Sequence, residues 1–169
     1  MREIHPFVDA LYGLSQRGDR AALAELRKSF IRPMAALPWV APFLARDAPP
    51  WDEAAFVLVA GLYAINPRAG NRTLAERLRT LSDTSDSVAL RFRALLDADP
   101  QELGNHLRHA VSLVGSKELS VDYDDLLHAV RAWGREDKRA QRAWARDFWG
   151  AARPADDNDS DRDHEVNPS

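Results

Sequence analysis

The sequence contains no cysteine, which excludes disulfide bonds and metal sites built from thiolates. It also lacks a long apolar run: the longest covers residues 54–65, and these 12 residues are too few to cross a bilayer. The first residues, MREIHPFVDALYGL, lack the charged start and the uninterrupted apolar stretch of a signal peptide. These absences predict a soluble cytoplasmic protein with no membrane partner.

Catalytic signatures are absent as well. The sequence has no Gly-rich phosphate loop, no GxSxG and no HExxH. His106 and His109 lie three positions apart on one predicted helix, which is a spacing that two zinc ligands can have. Because no cysteine or nearby pair of carboxylates completes such a site, we interpret them as solvent-facing histidines and expect no metal and no cofactor. An all-α metal-dependent hydrolase that uses both histidines is the alternative.

Helical periodicity runs through the chain, and no segment alternates convincingly with the period of a strand. We therefore predict an all-α fold: a single helical-bundle domain of about seven to nine helices over residues 1–151. The polar residues 82–87 form a hinge that could divide it into two sub-bundles. The helix that starts near Trp51 is apolar nearly all round and should lie at the centre. Asp52 is expected to cap it, with Trp51 packed on Phe56 as a hydrophobic staple.

Local signals place further helix starts. Asn71 is expected to cap the next short helix. Asp99, followed by proline and by Glu102 three positions on, is a strong start signal. Gly104 inside that helix destabilises it relative to alanine, and we interpret the glycine as a position of close helix packing. The first turn of a later helix holds three carboxylates that we interpret as an N-cap and its dipole partners: Asp122, Asp124 and Asp125.

The formal net charge is −3, but the charges are unevenly distributed. Residues 153–169 hold five aspartates and one glutamate against two arginines, which leaves the rest of the chain close to neutral. A segment of this composition cannot bury enough apolar surface to fold, so we predict a disordered acidic C-terminal tail over residues 152–169. Its carboxylates would compete with other anions for the cations of the folded part.

Residues 121–150 combine aromatic and basic side chains and contain three of the five tryptophans. They are predicted to form two helices. At about 100° per residue, the second helix separates two faces. Its cations project onto one stripe, spaced by about one turn of 5.4 Å, which suits a polyanion backbone: Arg135, Lys138, Arg139, Arg142 and Arg146. Its apolar residues project onto the other side: Ala140, Ala143, Trp144 and Phe148. Trp149 lies beside the stripe, where it could contact a partner or stack on a nucleotide.

Four segments in a fixed order resemble a known family: LRFRALLDAD, ELGNHLRHAVSLV, VDYDDLLHAVRAW and AQRAWARDFW. They are similar to the CasB family, the small subunit of the type I-E CRISPR surveillance complex Cascade. The first half agrees in outline, with LAELRKSF, a proline-rich loop and AAFVLVAGLYA. The resemblance covers roughly residues 5–150 and excludes the tail. It consists of ordered helical patterns and not of a catalytic motif.

The resemblance implies an all-helical protein without enzymatic activity. It implies two copies that contact each other head to tail, along the backbone subunits that carry the guide RNA, together with the large subunit. Its implied role is to hold the guide RNA–target DNA region and the displaced strand, which stabilises the R-loop. Basic side chains in matching segments are then the candidate contacts to nucleic acid: Arg27, Arg91, Arg108, Arg131, Arg135, Lys138, Arg139 and Arg142.

A second interpretation stays open. Each of these cations could form a surface ion pair or a contact between subunits. The protein would then be a purely structural protein–protein adaptor, with the basic stripe on an acidic protein surface and no direct contact to nucleic acid.

Overall fold

The computed structural model describes residues 3–154, and these form nine α-helices with no strand beyond one isolated bridge. The all-α prediction is confirmed. The helices are α1 Pro6–Gln16, α2 Arg20–Arg27, α3 Leu37–Val40, α4 Pro50–Ile65, α5 Leu74–Ser82, α6 Asp86–Asp97, α7 Leu103–Ser116, α8 Tyr123–Ala132 and α9 Arg139–Trp149. Three short 3₁₀ helices flank α3: Lys28–Phe30, Pro33–Ala36 and Ala41–Phe43. From residue 155 onwards, the predicted disordered tail lies outside the described residues.

Helix α4 lies at the centre, as predicted, because it packs against α2, α3, α7 and α8. Contact on several sides explains why its sequence is apolar nearly all round. One continuous apolar core includes its buried side chains and runs from Phe7 of α1 to Phe148 of α9. Within residues 3–154, no helix is long and apolar enough to span a membrane.

The predicted start of α4 is wrong. Pro50 occupies the first helical position and Pro49 the N-cap, because a proline at that position has its φ already fixed and loses no hydrogen bond. Asp52 lies within the helix and does not cap it; it is 8% exposed and binds Arg131. Trp51 is the second residue of the helix and does not precede its N-cap, and it is 62% exposed, so the predicted staple is wrong as well.

The caps of the later helices were predicted in part. Asn71 does not cap α5; Thr73 does, in a capping box in which Thr73 Oγ1 accepts from the Glu76 N–H and Glu76 accepts from the Thr73 N–H. Asp99 accepts from two backbone N–H groups at 3.0 Å, yet α7 begins only at Leu103, after a turn. The predicted N-cap Asp122 is confirmed, since its carboxylate accepts from the Asp125 N–H at 3.0 Å.

Close helix packing involves a glycine other than the one predicted. A Cβ on Gly104 would meet only Leu58 Cδ1 at 3.6 Å, which is an ordinary contact. A Cβ on Gly61 of α4 would lie 2.8 Å from Ser29 Oγ and 2.9 Å from the Phe30 ring. Gly61 therefore allows the 3₁₀ helix after α2 to approach α4.

Candidate nucleic-acid interface

The chain reverses between α8 and α9, and this turn changes the predicted basic stripe. Lys138 adopts the left-handed conformation, with φ of 55°, immediately before α9 begins at Arg139. Asp137 accepts from the Arg139 N–H at 3.2 Å, which satisfies one free donor of the helix start. Arg135 and Lys138 consequently lie in the turn and not on the helix, so the predicted five-residue helical stripe is wrong. Three of its members remain on α9: Arg139, Arg142 and Arg146.

The reverse face of α9 is apolar and buried, as predicted for Trp144 and Phe148. The prediction fails at Ala143, which is exposed, while Gln141 is buried in its place. Gln141 is tolerated there because its side-chain N–H donates to the Trp133 carbonyl at 2.9 Å. The indole N–H of Trp144 donates to Asp125 at 3.0 Å, which ties α9 to α8.

The cations of the turn and of the start of α9 point into solvent. Arg135, Lys138, Arg139 and Arg142 are all exposed. Arg135 lies 3.6 Å from Asp137, but both side chains are more than half exposed, so the attraction is weak. In residues 3–154, no carboxylate comes within ion-pair distance of the other three cations. We call these four residues the turn cations.

Arg131 differs from the turn cations although it belongs to the same candidate set. Its guanidinium binds Asp52 through two contacts, at 2.8 and 3.3 Å, and lies 5.1 Å from the centre of the Phe56 ring. Asp52 therefore largely neutralises the positive charge of Arg131 within the protein. This placement favours a structural role for Arg131.

The remaining candidates lie on other helices. Arg27 is exposed at the end of α2, and Arg91 is exposed on α6. Arg108 is exposed on α7, with its guanidinium 4.9 Å from the centre of the Phe30 ring. The fold therefore divides the candidate set among the α8–α9 turn, the flanking helices α8 and α9, and the three separate helices α2, α6 and α7.

The histidine pair lies away from the turn cations. His106 and His109 line a groove of about 670 Å³ between α5, α6 and α7, together with Arg91. Within the described residues, no group of three histidine, aspartate or glutamate side chains is placed to hold a metal ion.

A second groove adjoins the turn cations, and no sequence pattern indicated it. It has a volume of about 720 Å³ and lies between α4, α8, the start of α7 and the α8–α9 turn. We call it the Trp51 groove. Its apolar surface comes from residues such as Ala54, Leu58, Leu103 and Trp133, and its basic residues are His128, Arg131, Arg135 and Arg139. The sequence could not reveal it, because its walls come from segments that are far apart in the chain.

Trp149 lies at the far end of α9 from the turn cations. It is 48% exposed, and its ring packs against Phe92 and Phe148. The Arg93 guanidinium lies 5.5 Å from the centre of the same ring. Much of this ring is therefore already in contact with the protein.

Comparison with known proteins places the chain among CRISPR-associated proteins. The family profile described as CRISPR-associated protein Cse2 matches residues 22–149. A relative from Thermus thermophilus, named CRISPR-associated protein Cse2, is 38% identical over an alignment of 153 residues, and the match covers 86% of this chain and 89% of that protein.

Solved structures agree in fold. The crystal structure of CasB from Thermus thermophilus has a TM-score of 0.75 and 37% identity, and the match covers 86% of this chain and 96% of that one. A chain of a solved CRISPR RNA-guided surveillance complex has a TM-score of 0.67 and 24% identity, over 84% of this chain and 87% of that one. At that identity the second match shows the fold only.

Proposed function

This chain belongs to the CRISPR-associated Cse2 family, also called CasB, and from this premise we propose that it is the non-catalytic small subunit of a type I-E CRISPR RNA-guided surveillance complex. The resemblance drawn from the helical motifs is thereby confirmed at the level of the family. The proposed partners are the backbone and large subunits of the complex, a second copy of the chain, the guide RNA and the target DNA.

In this proposal the subunit binds the nucleic-acid backbone without sequence preference and stabilises the R-loop. One observation carries it: the turn cations are exposed, and three of them have no ion-pair partner in the described part of the chain. Residues 135–142 carry these four positive charges against two exposed carboxylates, Glu136 and Asp137, and so have a net charge of +2 in a protein whose net charge is −3. A polyanion would supply the negative charge that balances these cations.

The energetics of strand exchange explain why such contacts matter. The guide–target hybrid is about as stable as the DNA duplex that it replaces, so a few backbone contacts can shift the balance. Base pairing supplies sequence recognition, and the arginines and lysine supply affinity that is independent of sequence. No chemical step is required of the subunit.

The test compares two triple variants that carry the same change in charge. Lys138→Ala, Arg139→Ala and Arg142→Ala are combined in one protein. The control combines Arg20→Ala, Arg46→Ala and Lys117→Ala, which are exposed cations outside the proposed interface. The complex is assembled with each variant, and R-loop formation is measured between about 50 and 200 mM salt.

The first variant is expected to weaken R-loop formation and to reduce the salt slope by about 2–3, because each lost phosphate contact removes about 0.7–0.9 from it. The control should behave like the wild type. Equal effects of the two variants would contradict the proposal. The adaptor interpretation holds instead if two results are found together. The first variant changes the assembly of the complex, and the turn cations of the wild type crosslink only to protein.

A further inference from the structure

Trp51 exposes a large flat ring beside the turn cations. It is 62% exposed, although aromatic side chains of this size usually gain from burial. In the described residues, no other aromatic ring and no guanidinium packs against it, in contrast to Trp149. One side of Trp51 lines the Trp51 groove. The ring is therefore free to stack on a planar group that enters this groove.

The charged side chains that line the groove are all basic. Its lining contains His128 and three arginines but no aspartate and no glutamate. Arg131 is paired with Asp52, so its charge is largely compensated. Arg135 has only a weak contact to Asp137, and Arg139 has no ion pair in the described residues. The groove therefore offers two guanidinium groups whose charge is available to an anion.

A ligand that satisfies both features has a flat, largely apolar ring joined to an anionic group. A nucleotide has this construction, and guanidinium groups bind phosphate through paired hydrogen bonds. The base must be unpaired, because a duplex keeps the faces of its bases stacked inside. An acidic protein segment would satisfy the arginines, but its carboxylates would leave the Trp51 ring without a planar partner. The volume of about 720 Å³ lies in the range of small-ligand sites.

We propose that the Trp51 groove binds one unpaired nucleotide, with the base stacked on Trp51 and the phosphate bound by Arg135 and Arg139. This inference rests on the proposed function and extends it. The subunit then distinguishes single strands from duplexes, which backbone contacts alone do only weakly. It would hold one nucleotide of an unpaired strand at a fixed position on the protein.

The test measures the binding of purified full-length protein to two fluorescent probes at about 50 mM salt: an oligo-dT of roughly 20 nucleotides and a duplex of the same length. Trp51→Ala is expected to weaken binding to oligo-dT roughly 5- to 150-fold, the range for losing one base–aromatic stack. Duplex affinity should stay within about twofold. Trp51→Phe keeps a flat ring and should restore most of the affinity. Trp149→Ala, at the other exposed tryptophan, is the matched control and should have no effect.

Each other result contradicts a defined part of the proposal. If the wild type binds neither probe, the proposed function fails, and this inference fails with it. If the wild type binds both probes and Trp51→Ala binds oligo-dT normally, only the nucleotide site is wrong. Equal losses on both probes would also contradict it. If Trp51→Ala binds oligo-dT normally but fails to join the complex, the groove binds a protein partner instead. Thermal unfolding checks that Trp51→Ala is folded, and Arg139→Ala provides a second variant on the phosphate side.

Discussion

The guanidinium of Arg131 on α8 binds the carboxylate of Asp52 on α4, with Nε 2.8 Å from Oδ1 and Nη2 3.3 Å from Oδ2. The two residues are 79 positions apart in the sequence. Asp52 is buried, so its charge needs this partner. The pair joins the central helix to the helix that precedes the turn cations, and it therefore helps to position the proposed interface.

Arg131→Ala is expected to destabilise the protein by about 2–3 kcal/mol, because it leaves a buried carboxylate unpaired. The value is below that for a fully buried pair, since the Arg131 side chain is 37% exposed. Urea unfolding measures it. The double variant with Asp52→Ala should recover part of the lost stability. The double-mutant cycle then gives the interaction energy of the pair. A loss of nucleic-acid affinity at unchanged stability would instead place Arg131 in the interface.

Two glycines should respond in opposite directions to the same substitution. Gly61→Ala is expected to cost about 1–3 kcal/mol, because the new methyl group would overlap Ser29 and the Phe30 ring. Gly104→Ala has space and removes a poor helix former, so it should be neutral or stabilising by up to about 1 kcal/mol. Thermal unfolding of both variants checks this. Destabilisation by both would show that α7 packs more closely on α4 than described.

Features that depend on neighbours in the chain were predictable from the sequence. The spacing of Trp144 and Phe148 placed them on the buried side of α9, and the cap at Asp122 was predicted correctly. Thr73 was missed, although the Thr-x-x-Glu pattern was visible, because Asn71 two positions earlier is the better cap by residue type alone.

Features that depend on packing between distant segments were not predictable. Nothing near Asp52 in the sequence indicates that Arg131 is its partner. The N-cap of α4 therefore looked like the better explanation for an aspartate at this position. The basic stripe failed for a related reason: Gly134 was expected to separate the two helices, but the left-handed conformation of Lys138 delays the start of α9 to Arg139. Lysine gives no sequence signal for that conformation.

Glu76 should stabilise the protein at neutral pH and lose this effect in acid. Burial alone would raise the pKa of Glu76, but the Thr73 N–H and the guanidinium groups of Arg153 and Arg72 outweigh it and lower the pKa below the usual 4.5. A lowered pKa in the folded state gives stability that is present above the unfolded pKa and is lost as the pH falls through the folded one.

Glu76→Gln keeps the capping box and removes only the charge, so we expect it to cost about 1 kcal/mol at pH 7. The difference in melting temperature between wild type and variant should shrink as the pH falls below about 4.5. A difference that does not change with pH would show that the charge of Glu76 contributes nothing.

Asp147 should behave in the opposite way. Burial raises its pKa above the usual 3.8, and the nearby Glu76 carboxylate adds to this, although Thr73 Oγ1 donates to Asp147 at 2.9 Å. A raised pKa means stability that is present below the unfolded pKa and is lost as the pH rises through the folded one. At pH 7 the ionised Asp147 is therefore a cost.

Asp147→Asn keeps an acceptor for Thr73 and removes the charge. It is expected to stabilise the protein at pH 7 by a few tenths to about 1 kcal/mol, with the gain vanishing towards about pH 4. Asp147→Ala, which loses the acceptor too, is the control and should not stabilise. Calorimetric scans at both pH values decide between these outcomes. A loss of stability in Asp147→Asn at pH 7 would show that an ionised carboxylate is needed there.

Removing the acidic tail should strengthen binding to nucleic acid. Residues 155–169 hold six acidic residues and one arginine, so their deletion turns the formal net charge from −3 to +2. The described chain before them is held in place without the tail: Arg153 binds Glu76 at 2.9 Å, and Arg72 donates to the Pro154 carbonyl at 2.9 Å. The deletion should therefore leave the folded part intact while it removes carboxylates that we expect to compete with phosphate for the turn cations.

We expect the deletion to increase the affinity for random-sequence DNA several-fold at about 50 mM salt, and the gain to disappear near about 0.5 M, where charges are screened within a few ångströms. A control that keeps the tail length but replaces its six acidic residues by Asn and Gln should bind as tightly as the deletion. If this control behaves like the wild type while the deletion gains affinity, the tail acts through its bulk and not through its charge. An unchanged affinity in both would mean that the tail does not reach the turn cations.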